Sequence, residues 1–120
     1  MVKDELVIKI LELPRVVQRE QNVSPYSYLK NIGYFLEYDQ INSSDFYAFL
    51  AEDVSLFFQW VSWAEDKRSD SGCFLTLNSD GSANVGLNNL GETMYNNNYS
   101  DRILACATYI HCEIEEIRRS

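Results

Sequence analysis

The sequence predicts an α+β fold: one small, helix-dominated domain with a β-hairpin or small antiparallel sheet near residues 73–87. Three observations carry this. Apolar residues recur at spacings of three and four over most of the 120-residue chain. One stretch, CFLTL-NSDG-SANVGL, reads instead as two short strands around an Asp-Gly turn. An apolar fraction of 46 % with 5 Gly and 2 Pro suits one packed core without long disorder. No linker or internal repeat divides the chain, so residues 1–120 are expected to form a single domain.

The first helix, over residues 2–12, places Val2, Leu6, Ile10 and Leu13 on one stripe. Pro14 ends it or starts another turn, and PRVVQREQN reads as a short second helix. Ser24 is a cap and Pro25 fits the first helical position after it. The buried stripe of that helix is Tyr28, Leu29, Ile32, Phe35 and Leu36. Gly33 lies inside it, at a cost of about 1 kcal/mol against alanine unless a neighbour packs close. INSS then breaks the chain and offers Ser43 and Ser44 as caps. Residues 45–66 read as one helix of about six turns. Its broad apolar face holds Phe46, Phe49, Leu50, Val54, Phe57, Trp60 and Val61. KRSDSG ends it, and the hairpin follows. One hairpin is not stable alone, so it must lie on helices or join further strands. NNLGETMYNNNY, with Asn96, Asn97 and Asn98, reads as loop. Ser100 caps the last helix, whose stripe is Ile103, Cys106, Ala107, Ile110, Ile114 and Ile117. The first and last helices both offer aliphatic stripes and are expected to pack near one another.

The formal net charge is −8, and its placement says more than its size. Residues 31–66 carry seven acids and no lysine or arginine. Such a surface repels nucleic acid and anionic membrane and attracts a basic partner. The opening MVKDELVIKILELP is interrupted by Lys3, Asp4, Glu5 and Lys9, unlike a signal peptide or a membrane span. A soluble cytoplasmic protein is the expectation. Cys73, Cys106 and Cys112 contain no C-x-x-C pair and read as small buried thiols; Cys106 and Cys112 lie on different sides of one helix.

No catalytic signature stands out. There is no P-loop, no G-x-G-x-x-G and no G-x-S-x-G, and one histidine with scattered cysteines gives no zinc spacing. NSDGSANVG misses the spacing of a calcium loop. Neither a cofactor, a metal nor an enzymatic activity is therefore expected. Asp53 would point into the apolar face between Phe46, Phe49 and Phe57, as a bonded structural acid or a catalytic one. His111, the only histidine, falls at the edge of the last helix's apolar stripe.

The candidate site is a partner-binding face. On a continuous helix Asp45, Glu52, Gln59 and Asp66, seven apart, share one row within about 60°, and Trp63 lies against it. Members of the row are about 10 Å apart, near one Debye length, so their mutual repulsion is mostly screened. Solvated helix faces usually mix signs, because opposite charges at i, i+4 stabilise them. Tyr34, Glu37 and Tyr38 extend the face from the preceding helix, and tyrosine and tryptophan are favoured at binding hot spots.

Size, charge and the lysine-free acidic, aromatic segment 31–66 together resemble the immunity proteins of bacterial toxin–immunity pairs, including contact-dependent growth-inhibition and polymorphic-toxin systems. The likeness lies in overall character and involves no motif. It implies a cytoplasmic protein that binds a cognate protein toxin, often a basic nuclease, and blocks its active site or an essential surface. A phage-type acidic inhibitor or nucleic-acid mimic looks similar. A small enzyme or ligand-binding domain using Asp53, His111 or a cysteine is the third reading. Stoichiometry and oligomeric state are not legible.

Overall fold

Helices occupy the first half of the chain and a sheet follows, closed by one long helix. The structure, a computed structural model, describes residues 2–20, 22–67 and 71–120. Among these it forms an α+β domain with a three-stranded antiparallel sheet.

Helix α1 (Lys3–Leu11) buries Leu6, Val7, Ile10 and Leu11. Val2, expected on this stripe, lies outside the helix and is exposed. The short second helix forms as α2 (Leu13–Arg19), with Pro14 in its first turn, where a missing N–H costs nothing. Ser24 caps α3 (Pro25–Asn31) as expected, its Oγ accepting from Ser27 N at 3.1 Å.

Two breaks set the rest of the helical layer. The first is at Gly33, whose φ of +95° ends α3 before α4 (Tyr34–Glu37). A left-handed residue here suits glycine. No atom lies within 4 Å of where its Cβ would sit, so backbone conformation and not close packing explains the choice. The break rephases the chain. Tyr34 turns inward to full burial, while Leu36, expected inside, is 87 % exposed. A 3₁₀ turn at Tyr38–Gln40 follows.

The second break is at Asp53. The expected six-turn helix is two, α5 (Ser44–Glu52) and α6 (Val54–Lys67), with Asp53 extended between them at φ −126° and ψ 94°. Its Oδ1 accepts from Ser55 N at 3.0 Å and from Ser55 Oγ at 2.6 Å. Asp53 is therefore an exposed cap for α6, not an acid buried among phenylalanines. Ser43 makes no side-chain cap at α5; instead Asn42 Oδ1 accepts from Ser44 N at 3.1 Å.

The expected hairpin is β1 (Gly72–Leu77) with β2 (Ala83–Asn89), registered through Leu75↔Val85. Its tip closes with Gly81 at φ +90° and Asp80 Oδ1 accepting from Ser82 N at 2.9 Å. The stretch read as loop is a third strand, β3 (Glu92–Tyr99), so Asn96, Asn97 and Asn98 are strand residues. Leu90 and Gly91 both have positive φ, +52° and +84°, the two-residue turn that joins antiparallel strands tightly. Burial does not hold β3, which is exposed along nearly its whole length. Pairing with β2 holds it, together with amide bonds centred on Asn84, which accepts from Asn78 and Asn98 at 2.8 Å each and donates to Asn96 at 2.7 Å.

Helix α7 (Arg102–Arg119) is the spine, with Ala105, Cys106, Ala107, Tyr109, Ile110 and Ile114 buried. Asp101, not Ser100, caps it, Oδ1 accepting from Ile103 N at 2.9 Å. α7 lies against α5 and the sheet, while α1 packs chiefly on α5 and α2, so the two terminal helices meet the same core through α5 and not along each other. Trp60, fully buried, donates from Nε1 to Leu11 O at 3.0 Å and ties α6 to the α1–α2 corner. The cysteines differ from expectation: Cys73 and Cys112 form a disulfide joining β1 to α7, and Cys106 alone is free. No helix among the described residues is long and apolar enough to cross a membrane.

The α7 cap makes a prediction about acid. Asp101 also accepts from the Tyr47 hydroxyl, and chiefly this bond holds its carboxyl below the ordinary 3.8, against the opposing effect of burial. A lowered folded value means a contribution present above the ordinary value and lost as pH falls through the folded one. Thermal stability should therefore drop as pH is taken below about 4. Asp53 and Asp80, held down by the hydroxyls of Ser55 and Ser82, act in the same direction. Melting curves of Asp101→Asn should show a shallower acid dependence than wild type; an unchanged slope would contradict the assignment.

Candidate functional site

The break at Asp53 divides the expected acidic row between two helices, so Asp45, Glu52, Gln59 and Asp66 do not share one continuous face. Asp45 sits near the start of α5, pairs with Lys3 at 3.1 Å and accepts from Asn42 N at 2.9 Å; it is occupied in tying α5 to α1. Glu52 is exposed at the end of α5. Gln59 and Asp66 stay together on α6, half-buried and exposed respectively.

The aromatic members are corrected more strongly. Tyr34 is fully buried, and its hydroxyl donates to Glu115 Oε2 at 2.7 Å. Burial first, and that bond second, push its ionisation well above the ordinary range. Burial pushes Glu115 up, but the guanidinium of Arg118 and the Tyr34 hydroxyl outweigh it and hold the carboxyl below 4.5. Tyr38 is 39 % exposed, with the Arg118 guanidinium 3.7 Å from its ring centroid. Glu37 is half-buried beside Lys3 and Leu6. These three residues therefore belong to the corner where α4 meets α1 and α7, and they do not flank α6.

Trp63 is half-buried and packs edge-to-face on Trp60, ring centroids 6.2 Å apart. Its Nε1 donates to Glu113 Oε2 at 2.8 Å. Glu113, 1 % exposed, also accepts from the Tyr109 hydroxyl at 3.2 Å and pairs with Lys67. Trp63 is thus held in a polar node between α6 and α7 and is no free anchor for a partner.

What α6 does present is different. Its solvent side carries Val54, Ser55, Phe58, Ser62, Glu65 and Asp66, the outward positions over about three turns of a helix whose Phe57, Trp60 and Val61 are buried. Val54 is 58 % and Phe58 48 % exposed. With Gln18 of α2 and with Gln59 they line an open groove of about 510 Å³. The Gln59 Oε1 at this groove is shielded from solvent and has no hydrogen-bond partner among the described residues. Glu52 and Asp53 stand at one end of the face, Glu65 and Asp66 at the other. Acids in the last turn of a helix oppose its macrodipole, so the dipole does not explain Asp66.

The chemistry-bearing residues considered from sequence do not converge. Asp53 is a cap, and His111 lies half-buried on α7. Burial pushes the Cys106 thiol up to about 12, which leaves it protonated and unreactive at neutral pH. No group of three or more His, Cys, Asp or Glu among the described residues is placed to hold a metal ion. No protein-family model, curated protein or solved structure matches the chain.

Proposed function

We propose that the protein is an immunity-type inhibitor. It binds a cognate, basic protein toxin of nuclease type and neutralises it by occupying its active site or an essential surface. It has no turnover of its own. The observation that carries this reading is the outer face of α6, where exposed Val54 and Phe58 and an open groove lie between two pairs of acids. Apolar anchors in a charged rim suit protein recognition: the anchors slow dissociation and the charges steer encounter with a basic surface.

A cytoplasmic, bacterial setting is part of the proposal. The Cys73–Cys112 disulfide weighs against it, since such bridges persist mainly in oxidising compartments. The test is co-expression with the adjacent reading frame, followed by co-purification and by growth of cells expressing that frame. Cells should grow only when the two proteins are together, with this protein kept in the cytoplasm. A neighbour that is harmless alone and fails to co-purify would remove the reading. Protection only when this protein is exported would remove the cytoplasmic part.

A further inference from the structure

We infer that the free edge of β3 is a self-association surface, on which a second copy of this chain adds its own β3 antiparallel, about a two-fold axis at Asn97, to make one six-stranded sheet. This goes beyond the toxin-binding reading and does not depend on it.

The edge has little protection: its one blunting device is an irregularity at Met94, beside the β2–β3 turn. Every residue of β3 except Tyr99 is exposed, including Met94 at 58 % and Tyr95 at 43 %. Folded proteins usually blunt such an edge with lysine, proline or a bulge. β3 has no lysine and no proline, and its only charge, Glu92, is at its start. The register passes from Leu87↔Tyr95 to Asn88↔Thr93, which leaves Met94 as an extra residue. The irregularity lies toward the β2–β3 turn, and residues 95–99 pair regularly with β2.

That regular segment is symmetric about Asn97. Antiparallel pairing with a second copy sets Tyr95 opposite Tyr99, and Asn96 opposite Asn98, twice each. The side chains are complementary in this register. Asn96 Oδ1 accepts from Asn84 at 2.7 Å, and its amide nitrogen has no partner among the described residues. Asn98 donates to Ser82 Oγ at 3.2 Å and to Asn84 Oδ1 at 2.8 Å, and its amide oxygen has none. A free donor therefore faces a free acceptor at both symmetry-related positions. Opposed residues share a face with Cβ atoms about 5 Å apart, within reach of an amide bond. The network around Asn84 then runs without interruption from one copy to the other.

Charge fits as well. The two Glu92 carboxylates lie at opposite ends of the pair, so the pairing brings no like charges together. The acids of α6 take no part, because α6 packs on β1, the far strand of the sheet. One strand pair buries a small area, and interfaces under about 1,200 Å² are typically weak and transient. The dimer should therefore be concentration-dependent, with a Kd on the order of micromolar.

Sedimentation equilibrium of the purified chain tests this. A reversible monomer–dimer equilibrium is expected, and Asn97→Lys, which sets two like charges together at the axis, should leave only monomer with an unchanged circular-dichroism spectrum. Under oxidising conditions Asn97→Cys should cross-link into dimers, since the axis brings the two positions to about 5 Å, while Thr76→Cys on β1 should not. A chain that stays monomeric up to about a hundredfold above a micromolar Kd would overturn the proposal. So would a dimer that Asn97→Lys leaves intact and Asn97→Cys fails to cross-link, because it would use another face.

Discussion

Lys67→Met should destabilise the protein by about 3–5 kcal/mol, the usual loss when a buried ion pair is left with one member. The pair is asymmetric. Glu113 is 1 % exposed, whereas the Lys67 side chain is 30 % exposed. Without Lys67 the carboxylate stays buried, with only the Trp63 and Tyr109 donors beside it. Without Glu113 the ammonium can swing into water. Glu113→Gln should therefore cost clearly less than Lys67→Met, and Lys67→Met with Glu113→Gln, which removes the charge and keeps an acceptor for Trp63 and Tyr109, should recover much of the loss. Urea unfolding of the four proteins reads all of this. Equal losses for the two single variants would mean that the pair is effectively exposed. The loss is large against a typical total of about 5–15 kcal/mol, so Lys67→Met is best studied at low temperature.

Reducing the Cys73–Cys112 bridge should cost about 4 kcal/mol, the chain-entropy value for a closed loop of this size. The bridge spans 39 residues and fastens β1 to the middle of α7. Tyr95 of β3 sits close to it, its hydroxyl 3.6 Å from Cys112 Sγ, so the sheet's whole attachment to α7 should loosen on reduction. Thiol titration of the denatured, unreduced protein should give one free thiol, Cys106, and three after reduction. Three thiols before reduction would remove both the bridge and its stabilisation.

The parts of this fold that sequence reveals are those where one residue type decides the outcome. Ser24-Pro25 starts α3 because a hydroxyl cap and a preset φ act locally. Asp80-Gly81 turns the hairpin for the same kind of reason. The periodicity of Cys106, Ala107, Ile110 and Ile114 gives α7 because a full apolar stripe is buried. The two helix breaks were harder. Gly33 and Asp53 each interrupt an apolar period that continues in phase on both sides, so period alone favours unbroken helices. The conflict at Asp53 was nevertheless visible: a continuous helix would bury a carboxylate between phenylalanines, and an Asp with Ser two residues on is better satisfied as a cap. β3 was illegible because asparagine has low strand propensity, and neighbours across the sheet hold it in place of burial.

The break at Asp53 decides which residues of the candidate site share a face. Of the row, Gln59 and Asp66 stay together on α6 and Glu52 stands exposed just before it, and the exposed aromatic of α6 is Phe58 in place of Trp63. Trp63 carried no sequence signal of its bond, because its acceptor, Glu113, lies 50 residues away. Tyr34 moved inward with the turn at Gly33, and its acceptor, Glu115, is 81 residues distant. Asp45 is neutralised by Lys3, from the first helix, outside the lysine-free segment.

The central claim is that the outer face of α6 binds a basic protein. The most direct test is to measure association and dissociation rates of the co-purified partner at two salt concentrations, on wild type, Phe58→Ala and the double variant Glu52→Lys with Asp66→Lys. Phe58→Ala should leave the on-rate nearly unchanged and raise the off-rate about thirtyfold, the equivalent of a docked aromatic worth about 2 kcal/mol. The double charge reversal should slow association and flatten its dependence on salt. Partner binding at wild-type rates by both variants would contradict the account and leave α6 an ordinary solvated helix.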